Sequence, residues 1–181
     1  MKVLIKRTCT DLKFTAEEFE TLLFKVESIL NSRPLYPLSD TLDDLEFLTP
    51  GHFLIGAPLV SIPNHDLSDL RLNQLSRWQL IQSRVQIIWD KWSKDYLHSL
   101  QQRRKWFTPN SQPTLGQLVL ICESSNPLHW RRGRIIKLYP GSDDLTRVVL
   151  LKTQTGTITR PLAKLAPLLL ENNSEAHTDS N

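Results

Sequence analysis

The sequence predicts an α+β protein in which helices come first and short strands follow. Apolar residues recur every three or four positions in two long segments before residue 107, whereas short β-rich runs separated by turn signals follow from residue 114 onward. The 181 residues, 40% of them hydrophobic, suffice for one full domain or two small ones. No apolar run approaches the ~20 residues of a membrane span, so no membrane segment is predicted.

The first predicted helix spans residues 16–32. Thr15 and Glu18 form a capping-box pattern, in which a hydroxyl and a carboxylate satisfy the backbone amides at the helix start. The helix ends before Pro34, which disfavours helical backbone in the preceding residue. Its apolar stripe consists of Phe19, Leu22, Leu23, Val26, Ile29 and Leu30. Such a stripe makes the helix amphipathic, so it must pack on another surface.

Residues 34–71 are predicted to form an extended, proline-rich connector. The segment holds five prolines, which leave no room for a long helix or strand. One short helical turn through residues 52–55 is expected after Thr49 and Pro50, because proline suits the first position of a helix.

A second, long helix is predicted over residues 72–107. No proline or glycine occurs between residues 72 and 106, and a helix of roughly 30 residues extends on the order of 45 Å. Large apolar side chains recur at spacings of three or four, at Trp78, Ile81, Val85, Ile88, Trp92, Tyr96 and Leu100. This spacing indicates core packing of the aromatic side chains rather than base stacking.

A small β-barrel is predicted over residues 114–168, after a linker at residues 108–113. Four β-rich runs, with a fifth possible, are separated by turn-forming residues, which is typical of an SH3-like barrel. The runs are residues 116–122, 132–138, 147–153 and 157–160. The polar residues 169–181 show no apolar period and are expected to be a disordered tail.

The net charge of +3 hides an uneven distribution. Residues 1–69 hold 6 basic and 11 acidic side chains, whereas residues 70–168 hold 16 basic and 5 acidic ones, a net charge of +11. A basic block of this size predicts a surface that meets the phosphates of DNA without reading its sequence. The candidate contacts are Arg77, Arg84, Lys91, Lys94, Arg103, Arg104, Lys105, Trp130, Arg131, Arg132 and Arg134.

Each of these candidates also has a purely structural interpretation. The four cations between residues 77 and 94 can line one flank of the long helix and meet phosphates, or form a solvated face. The cluster at residues 103–105 can bind phosphate, or interact favourably with the C-terminal end of the helix dipole. Trp130, among three arginines, can stack on nucleic acid or lie in the core of the barrel.

Other kinds of site find little support in the sequence. Cys9 and Cys122 are far apart and lack ligand-spaced partners, so neither a disulfide framework nor a zinc site is predicted. His52 and His129 are expected to pack or cap locally. The acidic residues Asp43, Asp44 and Glu46 are interpreted as solvated loop charges rather than metal ligands. No metal or other cofactor is predicted, and the absence of a signal-peptide pattern indicates an intracellular protein, compatible with the nucleus.

Several motifs in order resemble the end of the integrase in Pao/BEL-type LTR retrotransposon polyproteins. They are LNSRPL at 30–35, LTPGHFLIG at 48–56, RWQLIQ at 77–82, WDKWSKDYLHSLQQRRKW at 89–106, and GQLVLI, WRRGRIIKLYPG and RPLAKL within 116–165. The resemblance runs from about Phe14 to Leu168. Departures from the family pattern occur at Asp95, Tyr139 and Asp144, the last at a turn position where the family often has glycine.

The resemblance implies that residues 1–33 are a remnant of an RNase-H-like catalytic core and end with its last helix. Integrases of this family cleave and join DNA with two metal ions held by two aspartates and a glutamate, and the glutamate lies just upstream of that helix. All three ligands are therefore expected to be missing from this chain, so the resemblance predicts a non-catalytic protein.

Two rival functions remain open at this stage. The apolar stripe of the helix at 16–32, separated from the sheet it packs on in the resembled family, can bind a protein partner or a second copy of the chain. Alternatively, the chain is the product of a retroelement gene fragment with no selected role.

Overall fold

The computed structural model describes residues 1–10, 12–60, 66–67, 75–107, 112–123 and 125–168, without the side chains of residues 102–107. The predictions for the tail at 169–181, for residues 108–111 of the linker and for part of the connector lie outside these residues. The side chains of Arg103, Arg104 and Lys105 lie outside them as well. Within the described residues, the chain is a mixed helix and sheet structure, with a long helix followed by a five-stranded antiparallel sheet.

Three of the four helices in the described residues form largely where the sequence predicts them, and the first, at residues 2–9, was not predicted. The helices are α1 (Lys2–Cys9), α2 (Ala16–Asn31), α3 (Pro50–Ile55) and α4 (Arg77–Phe107). The Thr15 capping box is present, since the backbone N–H of Thr15 donates to Glu18 Oε2 at 2.8 Å and the N–H of Glu18 donates to Thr15 Oγ1 at 3.3 Å. The short α3 confirms the expected helical turn after Thr49.

The long helix α4 begins at Arg77, five residues later than predicted. Ser76 and Gln79 form a reciprocal capping box there, in which the N–H of Ser76 donates to Gln79 Oε1 at 2.9 Å and the N–H of Gln79 donates to Ser76 Oγ at 3.3 Å. A capped start satisfies amides that an uncapped helix end leaves without partners. The pattern Ser-x-x-Gln is visible in the sequence and marks this boundary.

The sheet contains the four predicted strands and a short fifth one. The strands are β3 (Leu118–Ile121), β4 (Arg132–Pro140), β5 (Thr146–Thr153), β6 (Gly156–Pro161) and β7 (Leu165–Pro167). They follow the order β6-β5-β4-β3-β7, and a 3-10 turn at Leu162–Lys164 leads the chain back to pair β7 with β3. In the connector, β1 (Tyr36–Pro37) and β2 (Phe47–Leu48) form a short antiparallel ladder that the sequence analysis did not predict.

Asp144 lies in the turn between β4 and β5, at the position where the resembled family often has glycine. Its φ is +56°, in the left-handed region. Its N–H donates to Gly141 O at 3.1 Å, and Gly141 N–H donates to Leu145 O at 3.0 Å. Aspartate tolerates this backbone region better than most side chains, so the turn closes without glycine.

Strand β3 is buried on both faces and joins two cores. Val119 and Ile121 pack on one face of the sheet, with apolar residues of β4, β5 and β7. Leu118 and Leu120 pack on the opposite face, in a larger core built from α2, α4 and the connector. Gln101 ties α4 to the end of the sheet, since its Nε2 donates to Leu165 O at 2.9 Å. The sheet is therefore fixed against the helices through its most buried strand.

The expectation that the apolar stripe of α2 lacks a partner is wrong for three of its six residues. Leu22, Val26 and Ile29 are 0%, 4% and 1% exposed and belong to the larger core with α4. Phe19, Leu23 and Phe24 remain 41–59% exposed. The helix has thus found a core within its own chain while presenting other apolar side chains to solvent.

No helix among the described residues is both long enough and apolar enough to cross a bilayer.

Candidate nucleic-acid interface

Three arginines converge on a cavity of about 190 Å³ at one end of the sheet. The cavity lies between the start of β4 and the turn that joins β5 to β6. Three arginines line it: Arg131 just before β4, Arg132 at the start of β4, and Arg160 on β6. We call this cavity the arginine notch.

Glu123 holds two of these arginines in place. Arg160 Nε donates to Glu123 Oε1 at 2.7 Å, and Arg131 forms an ion pair with the other carboxylate oxygen. The hydrogen bond from Arg160, together with the charges of both arginines, lowers the pKa of the Glu123 carboxyl. The pair between Arg160 of β6 and Glu123, two residues after β3, joins parts of the sheet that are separated by two strands.

Both guanidinium groups remain open to solvent while Glu123 holds them. The side chains of Arg131 and Arg160 are 51% and 33% exposed. A guanidinium carries five N–H donors, so one carboxylate leaves several of them available to a ligand. Arg160 was not among the predicted contacts, and only the net charge of +11 for residues 70–168 pointed to it.

Arg132 lies at the edge of the notch but is largely covered. Its side chain is 17% exposed, its NH2 group donates to Glu46 Oε1 at 2.8 Å, and its guanidinium lies 4.8 Å from the centre of the Phe47 ring. Both contacts come from the connector.

Arg134 cannot contact DNA, contrary to the sequence prediction. It is 1% exposed, and its guanidinium donates to three backbone carbonyls. Two of these bonds, from Nε to Asp44 O and from NH1 to Gly116 O, measure 2.7 Å, and the third goes to Ser39 O. The residue is a buried tie between β4 and the connector.

Trp130 belongs to the core, so its interpretation as a stacking platform is wrong. It is 4% exposed and packs edge-on against Trp89 at 4.8 Å between ring centroids, with Trp92 and Tyr96 within 5.8 Å. Its indole N–H donates to Ser32 Oγ at 3.3 Å. Burial of the ring and satisfaction of its single donor leave no free face for a base.

The cations of α4 do not form one uniform basic flank. Arg77 Nε donates to Glu18 at 2.7 Å, and Lys94 pairs with Asp90 at 2.7 Å one turn earlier on the same helix. Lys91 is exposed, whereas Arg84 is half-buried and its buried Nε has no hydrogen-bond partner among the described residues. The hydrogen bond to Glu18 raises the pKa of Arg77 and lowers that of the glutamate.

Trp78 also departs from the predicted core spacing of α4. It is 56% exposed, and Lys25 Nζ lies 5.1 Å from the centre of its ring.

Further exposed cations lie on or beside the sheet. Lys137 on β4 and Lys164 in the 3-10 turn are exposed. Lys152 on β5 is 45% exposed and forms an ion pair with Asp43 of the connector, and the hydrogen bond from Lys152 lowers the pKa of that carboxyl. Asp43 and Glu46 are thus exposed, as predicted, but each is paired with a cation of the sheet.

His52 has a local structural role, and the two cysteines form no disulfide. His52 Nδ1 accepts a hydrogen bond from the backbone N–H of Thr49 at 3.0 Å, which confirms its expected capping role. Cys9 and Cys122 are free, and burial raises the pKa of Cys122 to about 11. A thiol with so high a pKa is almost entirely protonated at neutral pH. In the described part of the chain, no three His, Cys, Asp or Glu side chains come together as metal ligands could.

Comparison with known proteins gives one match. A family of unknown function, DUF5641, matches residues 76–168, which include α4 and the whole five-stranded sheet. No curated protein and no solved structure matches the chain.

Proposed function

We propose that this chain, which belongs to the DUF5641 family, binds nucleic acid through the sugar-phosphate backbone. The binding surface comprises the arginine notch and the exposed cations of the sheet and α4. Contacts of this kind position a protein on nucleic acid without reading its sequence. We also propose that the chain derives from the C-terminal part of a Pao/BEL-type integrase, as its motifs suggest.

The observation that carries this proposal is the arginine notch. Two guanidinium groups converge on a concave surface, and one ionised carboxylate fixes their positions. Arginine binds phosphate well because its planar donors match the phosphate oxygens. Fixing the side chains beforehand reduces the conformational entropy lost on binding.

The fold supports an SH3-like barrel as the finer description of the sheet. The chain runs through β3 to β6 as an antiparallel meander, makes a 3-10 turn and returns to pair β7 with β3. The ion pair between β6 and the end of β3 joins distant parts of the sheet. We propose that this barrel, with the long helix before it, is the nucleic-acid-binding unit.

We further propose that binding occurs without strand cleavage. The resemblance to integrases matches residues from about Phe14 onward, and none of the matched positions corresponds to a metal-binding carboxylate of that family. Purified chain in Mg²⁺ or Mn²⁺ is therefore expected to leave supercoiled DNA intact. Metal-dependent nicking that disappears when one acidic residue of this chain is changed would overturn this part of the proposal.

Salt-dependent binding to a fluorescent DNA duplex tests the binding function. Contact with about 4–6 phosphates predicts that log affinity falls against log salt with a slope near −4 to −5. The double change Arg131→Gln and Arg160→Gln should weaken binding equally for unrelated sequences and make the slope shallower by about 2.

The control is Lys2→Gln with Lys6→Gln, which removes the same charge from exposed positions on α1. Thermal unfolding of each variant shows whether the fold is intact. The proposal fails if the wild-type chain shows no salt-dependent binding, or if the notch variant and the α1 variant lose the same affinity.

A second candidate function is self-association through exposed apolar side chains of α3. Phe53, Leu54 and Ile55 follow one another there and are 73%, 64% and 62% exposed. Contiguous exposed apolar surface is typical of protein-interaction sites. If this is the function, sedimentation velocity should show an oligomer that persists at high salt and dissociates in Phe53→Ser, whereas the notch variant should leave it unchanged.

A further inference from the structure

An acidic segment of the connector lies against the basic sheet that the proposed function requires. Asp43 pairs with Lys152 on β5, and Glu46 pairs with Arg132 at the start of β4. Both acidic side chains come from residues 43–46, which precede β2. Two cations that could meet phosphates therefore already have carboxylate partners within the chain.

Buried contacts fix the position of this segment, independently of the two ion pairs. Arg134 donates to the backbone carbonyls of Ser39 and Asp44 from its buried position. Leu45 and Phe47 are 7% and 6% exposed and belong to the larger core. Because the backbone is held at both ends, the carboxylates stay near the sheet even when their ion pairs break.

We propose that residues 43–46 are an internal competitor for phosphate, which attenuates nucleic-acid binding by the sheet. This inference rests on the proposed function and concerns its regulation. Asp43 and Glu46 occupy Lys152 and Arg132, so phosphate must displace carboxylates that then remain close by and repel it.

The strength of exposed ion pairs is compatible with such an exchange. Ion pairs at the surface stabilise a protein only weakly, so phosphate can replace the carboxylates without unfolding the chain. Lys152 is 45% exposed and Asp43 is 84% exposed, which leaves their pair accessible. The segment therefore lowers affinity without blocking the sheet.

The test compares DNA binding by the wild-type chain and by the variant Asp43→Asn with Glu46→Gln. Each cation released to meet a phosphate steepens the dependence of log affinity on log salt by about 0.9 on duplex DNA. The variant should bind more tightly at low salt and show a slope steeper by about 1 to 2. Thermal unfolding should show that the fold is retained.

Two controls separate local release from a general change in charge. The variant Asp40→Asn with Glu27→Gln removes two exposed acidic charges that form no ion pair with the sheet in the described structure, and it should leave the slope unchanged. The single change Asp43→Asn should strengthen binding in the wild-type chain but not in a chain that already carries Lys152→Gln.

The outcomes distinguish this inference from the proposed function. The competitor is overturned if the variant lacking Asp43 and Glu46 and the variant lacking Asp40 and Glu27 alter DNA binding equally. It is also overturned if Asp43→Asn still strengthens binding in a chain that carries Lys152→Gln. In both cases the binding function still stands. Weak wild-type binding that becomes strong only in the variant lacking Asp43 and Glu46 supports the competitor. If neither chain binds DNA, both proposals are wrong.

Discussion

The buried guanidinium of Arg134 shows how a single residue fixes the connector on the sheet. Among the described residues no carboxylate pairs with it, and its donors go to three carbonyl oxygens, from Ser39, Asp44 and Gly116. A buried cation is tolerated only when its donors are satisfied in this way. Arg134 thus joins the connector, the turn before β3 and strand β4 at one point.

Changing Arg134 to Met should destabilise the protein by at least about 3 kcal/mol. Three carbonyls then lose their donor, and each buried unsatisfied polar group costs about 1–3 kcal/mol. Arg131→Met is the matched control, because that side chain is 51% exposed and its ion pair is worth at most about 1 kcal/mol. Urea unfolding of both variants measures the difference. Equal losses of stability would contradict a tying role for Arg134.

Trp130 provides the corresponding test for the aromatic core. Replacing it by Ala should lower the free energy of unfolding by about 3–5 kcal/mol, as expected for a buried tryptophan. Trp78→Ala, at a position 56% exposed, should cost less than about 1 kcal/mol. The salt slope of DNA binding, measured where the variant is folded, should be unchanged by Trp130→Ala. Lost binding with undiminished stability would instead show that the indole stacks on nucleic acid.

At the scale of helices and strands, the sequence predicts the features that depend on residues close together in the chain. The capping box at Thr15, the apolar spacing of α2 and the turn signals between strands are local patterns, and the structure confirms each of them. The boundary of α4 was missed although its signal, the capping box of Ser76 and Gln79, is also local.

Contacts between distant residues could not be predicted in the same way. Trp130 donates to Ser32 across 98 positions, and Arg134 reaches Ser39 across 95. Composition and spacing give the charge and size of these side chains but not the direction in which they point. This is why Arg131 and Arg134 were placed in one candidate surface although only one of them is exposed.

The buried face of α2 makes a specific prediction at the element scale. Leu22→Ala should cost about 2–5 kcal/mol, because Leu22 is fully buried against the larger core. Phe24 lies two residues away and is 59% exposed, so Phe24→Ala should lower the free energy of unfolding by less than about 1 kcal/mol. Chemical denaturation compares the two. Similar, small effects for both would mean that α2 is not packed on its own chain.

For the molecule as a whole, the N-terminal third is part of the fold and not an appendage to it. The larger core takes Leu22, Val26 and Ile29 from α2 and Leu45 and Phe47 from the connector. These side chains belong to one cluster with Leu118 and Leu120 of β3, which are 1% and 0% exposed. Residues outside the family match at 76–168 therefore complete the core of the matched segment.

The segment 76–168 by itself should consequently fail to fold into a stable monomer. It lacks five buried apolar side chains that, at about 1.5–3 kcal/mol each, contribute roughly 7–15 kcal/mol. Whole domains are stable by only about 5–15 kcal/mol, so this loss is comparable with the total. We expect the isolated segment to lack a cooperative thermal transition and to give a poorly dispersed amide spectrum.

A chain ending at Leu168 is the matched control for this truncation, because it keeps both cores and removes only residues after the last described one. It should unfold cooperatively at the midpoint of the full-length chain. If residues 76–168 alone unfold at that same midpoint, the N-terminal third adds nothing to the core of the family segment. A lower midpoint that rises when residues 1–60 are added as a separate chain would show directly that α2 and the connector supply the missing core.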